Sequence, residues 1–506
     1  MNVFKIKRAL ISVYDKTGLT DLVETLARNN VEILSSGGTA KAIKDAGLKV
    51  IDVAEYTGSP EVFSGRVKTL HPKIHGGILM RRDNPDDPAD AAANDIEPID
   101  LVVVNLYPFM EKVTSDTPEA EAVELIDIGG VALLRAAAKN FKDVAVLHSP
   151  GQYAKFISAY NSSEGVGIES RKLWAGQSFA HISAYDSVIE NYFTGGLSIK
   201  GSFIKDLRYG ENPHQSSAWY STSEHGLSKA KQLWGKDMSY LNVLDLDAAL
   251  NIVADFDEPA CVIIKHTAPC GLAVGENPVQ AYTRAFSCDT RSPFGGIVGF
   301  NRMVNLETAK ELSKVFLEAV IAPSFDEDAL KLLQKKKNLR IVESGDYQSD
   351  PAERKFVSLS GGFLIQDSDN IPIDRDDFKV VTEVQPNEDQ WKALVFGAKA
   401  VKWAKSNAVV LNNDQQTLGI GCGQTSRVGS VEIAVANAGL FGHSLAGSVM
   451  ASDAFFPFPD SVEEAAKVGV RAVVQPGGSI RDKEVIEAAD KLGIAMVFTG
   501  KRHFRH

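Results

Sequence analysis

Cysteine is scarce and badly placed for cross-linking: the 506 residues hold four, Cys261, Cys270, Cys288 and Cys422, with no C-x-x-C pair among them. That excludes the disulfide framework of a small secreted domain and points to a reducing cytoplasm. Long apolar runs are missing too. No stretch approaches the roughly 20 consecutive apolar residues that cross a bilayer, and the N-terminal MNVFKIKRALISVYDKTG meets a turn after a short apolar run, so neither export nor membrane insertion is expected. Nor is there an excess of positive charge. Lys and Arg number 54 against 65 Asp and Glu, a formal charge of -11. A chain of this sign does not coat nucleic acid, and any anionic ligand has to be held by local basic clusters. The G-x-x-x-x-G-K-[ST] string of nucleoside triphosphate binders is absent as well. What remains, 44% hydrophobic residues with no long low-complexity segment, suffices for two or three globular units.

In the first half, apolar runs alternate with helical spacing: strand 9–13, helix 19–28, strand 31–34, helix 40–46, strand 50–53, then strand 100–105, helix 131–139 and strand 144–147. The economical architecture is a parallel sheet covered by helices, an α/β fold whose ligands bind at the carboxyl ends of the strands. Ser36, Gly37, Gly38 and Thr39 lie at one such end, where small residues leave the N–H groups of the next helix open to a phosphate. Tyr14, Asp15, Lys16 and Thr17 occupy the equivalent turn after the first strand. Glycine in such turns is equally compatible with a purely structural role. Next, GRVKTLHPKIHGG crowds Arg66, Lys68, His71, Lys73 and His75 into one loop of an acidic protein, an excess that a bound phosphate and a developing oxyanion would account for.

A helix over 177–192 gives way to Thr194, Gly195, Gly196, Leu197 and Ser198, the candidate linker. After a helix over 248–255, Val262, Ile263 and Ile264 read as a buried strand that ends in Lys265 and His266 and is stopped by Thr267, Ala268 and Pro269. A fixed cation beside a group that titrates near neutrality is the minimum for moving a proton while stabilising developing negative charge. Two polar residues at an exposed strand end are the plainer account. A helix ending at Pro323 and a charged surface stretch over 326–377 follow. Asn407 then precedes a second apolar strand, repeating the layout of the lysine-histidine strand. Gly419, Ile420, Gly421, Cys422 and Gly423 read as flexible backbone, without the acidic residue that would make G-x-G a dinucleotide site. A strand over 495–498 docks the C-terminus.

SVYDKTG, SSGGTAKA, GRVKTLHP, NLYPF, IDIGG and LLRAAAKN, in that order, resemble the inosine monophosphate (IMP) cyclohydrolase half of the bifunctional purine-synthesis family whose other activity is aminoimidazole carboxamide ribonucleotide (AICAR) formyltransferase. RYGENPHQ, KHTAPCG and SPFGG extend the likeness to nearly the full length. The resemblance implies a methylglyoxal-synthase-like parallel-sheet domain over 1–196 and a formyltransferase domain over 197–506, made of two cytidine-deaminase-like α/β subdomains at about 200–375 and 376–506. It implies formyl transfer from 10-formyl-tetrahydrofolate to the amine of AICAR. Dehydrative closure of formamidoimidazole carboxamide ribonucleotide (FAICAR) to IMP follows, in a homodimer and without a metal.

Carried across position by position, the resemblance has Lys68 stabilise the oxyanion of ring closure, Tyr107 and Asp127 handle its protons, and Lys139 assist. It sets Tyr14, Asp15, Lys16, Ser36, Gly37, Gly38, Thr39, Arg66, Val67, Thr69 and Asn105 against the ribonucleotide. In the second domain His266 would take the proton of the attacking amine. Lys265 would stabilise the tetrahedral oxyanion or protonate the departing folate nitrogen, and Asn407 would bond a reacting amide or formyl oxygen. Arg208, Tyr209, Gly295, Glu318, Arg427, Phe455 and Arg502 fall at substrate-binding positions, and Asp460, Gly478 and Ser479 at folate-contacting ones. Glu318 stands where the pattern of animal members has aspartate.

The deaminase-like fold of the transferase half makes a zinc deaminase the enzymatic rival. That chemistry needs H-x-E with P-C-x-x-C, whereas His266 is followed by Thr267 and Ala268, and Pro269-Cys270 by Gly271, Leu272 and Ala273. A non-catalytic sugar-phosphate sensor is the other rival, and it leaves one of the two reactive sets unexplained.

Overall fold

Runs of Leu, Ile and Val set the first sheet. In a computed structural model that describes residues 4–114, 116–162 and 166–506, strands β1 (Arg8–Val13), β2 (Glu32–Ser35), β3 (Ile51–Asp52), β4 (Leu101–Asn105) and β5 (Ala145–Leu147) pair in parallel in the order β3-β2-β1-β4-β5. β4 is apolar until its last residue and buried along that length, as a strand covered on both faces must be. The helix Leu19–Arg28 turns Leu22, Val23 and Leu26 inward, the i, i+1, i+4 stripe of a one-sided helix. From β1 the chain winds outward through β2 and β3, then returns to the other side of β1 for β4 and β5. That reversal opens a crevice beyond the carboxyl ends of β1 and β4, where ligands of such sheets bind. The helix expected over 40–46 begins at Gly37, since Ser36 is extended and serves as its N-cap. The one expected over 177–192 runs Ile168–Thr194 and stops at Gly195, whose φ of 65° suits glycine.

The chain divides into two compact units, residues 1–200 and 201–506. In the second, β6 (Ser202–Leu207) and β7 (Ser217–Ser221) form an antiparallel ribbon. Strands β8 (Lys231–Trp234), β9 (Ala260–Lys265), β10 (Ala268–Val274), β11 (Ile297–Phe300), β12 (Ala319–Ala322) and β13 (Arg340–Glu343) make a sheet of order β10-β9-β11-β12-β13-β8. A hairpin, β14 (Arg354–Leu359) and β15 (Gly362–Asp367), forms a two-stranded sheet of its own among the described residues. Strands β16 (Lys379–Val380), β17 (Val409–Asn412), β18 (Thr417–Gly421), β19 (Val449–Ser452), β20 (Ala472–Gln475) and β21 (Ala495–Phe498) make the last sheet, β16-β21-β20-β19-β17-β18.

The two six-stranded sheets share one plan. β9 lies antiparallel to both β10 and β11, and β11, β12 and β13 run parallel; β17 lies antiparallel to both β18 and β19, and β19, β20 and β21 run parallel. Their edge strands β10 and β18 meet along a seam: the Leu272 N–H donates to Thr417 Oγ1 at 3.0 Å and the Val274 N–H to the Gln415 carbonyl at 2.8 Å.

Three expectations give way here. The lysine-histidine strand stops at Lys265 as expected, but Ala268 and Pro269 do not serve as its breakers: they open β10, where Pro269 is tolerated because β10 is the edge of its sheet and the register shifts between Pro269 and Gly271. The segment expected as a helix ending at Pro323 is β12, four residues buried between β11 and β13; burial on both faces favours the strand over local helical preference. The stretch 326–377 is not surface throughout, since Ile341 and Val342 of β13 are wholly buried. Among the described residues no helix is long and apolar enough to cross a membrane.

Candidate functional sites

In the first unit the ends of β1, β2 and β4 border a cavity of about 680 Å³, large enough for a nucleotide-sized ligand. Tyr14, Lys16, Ser36, Gly37, Gly38, Thr39, Arg66, Lys68, Thr69, Asn105, Tyr107 and Asp127 all line it. Asn105, at the end of β4, shapes the first turn: its Oδ1 accepts the N–H groups of Tyr14 and Asp15 at 2.6 and 2.9 Å, and its Nδ2 donates to the Asp15 carbonyl at 2.9 Å. The Tyr14 and Tyr107 rings meet edge to face, centroids 5.7 Å apart.

Lys68 packs its ammonium over Gly37 and Gly65, which have φ of 55° and 91°; side chains there would crowd it. Glu61 pairs with that ammonium at 3.3 Å, and Glu124 pairs with Arg66. Asp127 precedes the helix Gly129–Lys139, and its Oδ1 accepts the Gly130 N–H at 2.7 Å. A β-carbon on Gly130 would come within 2.6 Å of Asp127 Oδ2, which explains the glycine. Burial raises the Asp127 pKa, against the N–H groups of Gly130 and Tyr107, which lower it. Tyr185, from the long helix, accepts the Asp127 N–H at 2.8 Å.

Other expected residues do not line the cavity. Lys139 is exposed at the far end of its 11-residue helix, about 15 Å along the axis from Gly129 at about 1.5 Å per residue. Asp15 turns back to accept the N–H and hydroxyl of Thr17, at 2.9 and 2.7 Å. Val67 forms a backbone bridge to Val62. Thr39 lines the cavity, but its hydroxyl donates to the Val13 carbonyl at 2.9 Å and accepts the Val13 N–H at 3.1 Å. It ties the helix to β1.

In the second unit Lys265 ends β9, and its Nζ donates to the carbonyls of Phe294 and Ser292 at 3.0 and 3.4 Å. The loop supplying them turns at Gly295, φ 75°, whose N–H donates to the Phe316 carbonyl at 2.8 Å. Glu318 follows, its N–H on the Gly296 carbonyl at 3.0 Å and its carboxylate paired at 2.6 Å with the buried Arg340. That pairing fixes one oxygen of a carboxylate whose side chain is otherwise 39% exposed. Arg208 stacks over Tyr209, 5.1 Å from the ring centre, and the Tyr209 carbonyl accepts the N–H of Tyr240, at the start of the helix Tyr240–Ala254.

Across the seam, Asn407 is oriented through both ends of its amide: Oδ1 accepts from Arg427 at 2.7 Å and Nδ2 gives one of its two N–H groups to the Gln424 carbonyl at 2.9 Å. Arg427 is buried, bonded also to Ser452 at 2.9 Å and to the buried Asp453. Its charge is met inside the protein, and the same guanidinium bonds Asn407. β10 and β18 run antiparallel along the seam, so the His266-Thr267 turn before β10 lies toward the end of β18, from which Gln424 reaches Asn407. Phe455 is 37% exposed. The Phe456 N–H donates to Gln475 Oε1 at 3.0 Å, and Arg481 stacks on Phe458 at 4.7 Å, which joins the Asp460 segment to the Gly478-Ser479 turn. That turn donates two N–H groups to Asp482, at 2.7 and 3.1 Å. Arg502 lies over Phe504, 4.3 Å from its ring centre.

Sequence reasoning passed over Glu61, Glu124, Tyr185, Asp245, Arg340 and Asp453. Each meets its partner through the fold, and no local spacing marks them.

A parallel sheet with a polar cavity at its reversal, followed by tandem sheets carrying a lysine-histidine turn beside their seam, defines a two-part α/β enzyme. The MGS-like domain family matches residues 18–132, and the family described as the AICARFT/IMPCHase bienzyme matches 137–437. The "Bifunctional purine biosynthesis protein PurH" of Trichormus variabilis is 50% identical over 506 residues, 98% of this chain and 99% of its own. That of Clostridium botulinum is 49% identical over 508 residues (99% and 100%), and that of Synechocystis sp. 48% over 511 (98% and 99%). A solved crystal structure, that of ForH, covers 37% of this chain and 100% of its own at 33% identity, with a TM-score of 0.34. The chain belongs to the AICARFT/IMPCHase bienzyme family, and it is a bifunctional enzyme of purine biosynthesis. Neither the deaminase nor the sensor alternative survives that membership.

Proposed function

We propose that the two activities are divided between the two units, formyl transfer in residues 201–506 and ring closure in residues 1–200. In the first step the amine of AICAR attacks the formyl carbon of 10-formyl-tetrahydrofolate. A new C–N bond forms and the bond to the folate nitrogen breaks. An aromatic amine conjugated to a carboxamide is a weak nucleophile, so its proton must leave as attack proceeds; His266 accepts it. Lys265, anchored at a strand end, offers its ammonium to the tetrahedral oxyanion and a proton to the departing nitrogen. Asn407 bonds the reacting oxygen. Phe455, Asp460, Gly478 and Ser479 form the ring-stacking and folate-facing side, and the enzyme works as a homodimer.

In the second step the carboxamide nitrogen of FAICAR attacks its own formyl carbon and water is lost. Holding the two groups together makes the attack intramolecular. Lys68 stabilises the oxyanion, Tyr107 and Asp127 exchange the protons, and the first turn of the helix at Gly37 with Lys16 receives the phosphate. The observation that carries this reading is the convergence of Lys68, Tyr107 and Asp127 on one cavity at the sheet's reversal.

Reciprocal substitution tests it. His266→Ala should lower formyl transfer by about 10² to 10⁴ and leave closure of supplied FAICAR intact; Lys68→Ala should do the reverse. Loss of both activities in either variant, or of neither, overturns the division.

A further inference from the structure

The turn that carries His266 is held by a carboxylate from another element. His266 and Thr267 both have left-handed backbone, φ 57° and 60°, a conformation that glycine adopts freely and a β-branched threonine resists. A turn needed only to join β9 to β10 would take glycine here. This one keeps two side chains, so their strain has to be offset. The Thr267 N–H donates to Asp245 Oδ1 at 2.6 Å, and the N–H of His266 faces the same carboxylate.

Asp245 is 9% exposed, on the helix Tyr240–Ala254, whose start is fixed by reciprocal bonds between Ser239 and Asn242. Burial raises its pKa, while the two N–H groups, the His266 imidazole and the Lys405 ammonium favour its charge. A charged acceptor bonds such N–H groups more strongly than a neutral one.

We infer that Asp245 is the positioning residue of the formyl-transfer site: it pins the His266-Thr267 turn and so sets where the imidazole meets the attacking amine. The inference rests on His266 being the base. Asp245 itself touches no reacting atom and acts through the backbone.

The test uses the full chain, AICAR and 10-formyl-tetrahydrofolate, with His266→Ala measured beside Asp245→Ala, Asp245→Asn and Asp245→Glu. Asp245→Ala should lower the kcat of formyl transfer about 10- to 100-fold, the cost of a displacement near 1 Å, with KM for AICAR within about threefold. Asp245→Asn, of equal length and with an oxygen for both N–H groups, should return kcat to within about fivefold of the parent. Asp245→Glu, which shifts the carboxylate by one methylene, should lower kcat without raising KM, and it decides the matter if the alanine variant does not fold. Ring closure of FAICAR should be unchanged throughout. A kcat within about twofold of the parent in both the Ala and Glu variants overturns the inference, as does an Asn variant as damaged as the Ala variant. Undiminished transfer by His266→Ala is a different result: it overturns the assignment of the base and leaves the pinned turn without a catalytic purpose.

Discussion

At Asp127 burial and hydrogen bonding pull in opposite directions. Burial raises the pKa, the N–H groups of Gly130 and Tyr107 lower it, and burial is the larger influence. The folded state therefore holds the proton more tightly than the unfolded chain. This group's contribution to stability is complete below its ordinary value of 3.8 and is lost as pH rises through the raised folded value. Asp127→Asn removes the charge and keeps an oxygen for Gly130. The variant should unfold at a higher temperature than the parent at neutral pH, with the gap closing as pH falls toward 3.8, and ring closure should drop by about 10² to 10⁴. Calorimetry across that range, with a FAICAR assay, checks both.

Residue identity at the cavity was open to sequence through the family motifs, of which the turns after β1, β2 and β4 sit at strand ends while Lys68 and Asp127 lie in connections between helices. Residue partnership was not. Nothing local to Glu318 announces Arg340, nothing near Arg427 announces Asp453, and Thr39 shows a hydroxyl without showing that β1 already uses it. Charge and hydrogen-bond satisfaction is settled by tertiary neighbours, which no local spacing displays.

Strands β10 and β18 each pack a helix against glycine. A β-carbon at Gly271 would lie 2.0 Å from the Ala285 carbonyl oxygen, one at Gly419 2.1 Å from that of Ala434, and one at Gly421 1.9 Å from that of Ser430. The helices Pro278–Cys288 and Arg427–Leu440 therefore run close along the two seam strands. The string G-I-G, expected as flexible backbone, is rigid strand whose glycines admit a helix; only Gly423, φ 68°, has the conformation expected of a flexible turn. Gly421→Ala should destabilise residues 201–506 by about 1–3 kcal/mol, since the obstacle is backbone and cannot rotate away. Gly439→Ala, on the helix Arg427–Leu440 with nothing within 4 Å, should be neutral or gain about 0.5–1 kcal/mol. Denaturant titration of the two variants separates close approach from helix propensity.

Element type was readable where pattern and burial agree, as in Leu19–Arg28 and Ala495–Phe498. It failed at β12, where burial on both faces erases the alternation that marks a strand, and at Pro269, whose tolerance depends on an edge that only the assembled sheet defines.

Each unit holds its own apolar core. One cluster runs from Ile6 to Ile182, and the other three draw only on residues from Leu207 to Val497. The parallel sheet was legible as alternation, and the likeness of the two later sheets was legible only as Asn407 echoing the lysine-histidine strand, because shared strand order leaves no fixed spacing in sequence. Separate cores of this size should fold separately. The fragments 1–200 and 201–506 should each melt cooperatively, the first closing FAICAR to IMP without transferring a formyl group and the second forming FAICAR without closing it. The structural division falls at 200, where sequence set it at 196, and Lys200 donates to the Ala180 carbonyl at 2.8 Å. A fragment ending at 196 should therefore keep its ring-closure rate and lose only a small increment of stability, about 1 kcal/mol or less for one exposed hydrogen bond. Two well-folded fragments that act only when mixed would instead mean that residues from both units complete each site, and the division of activities would have to be abandoned.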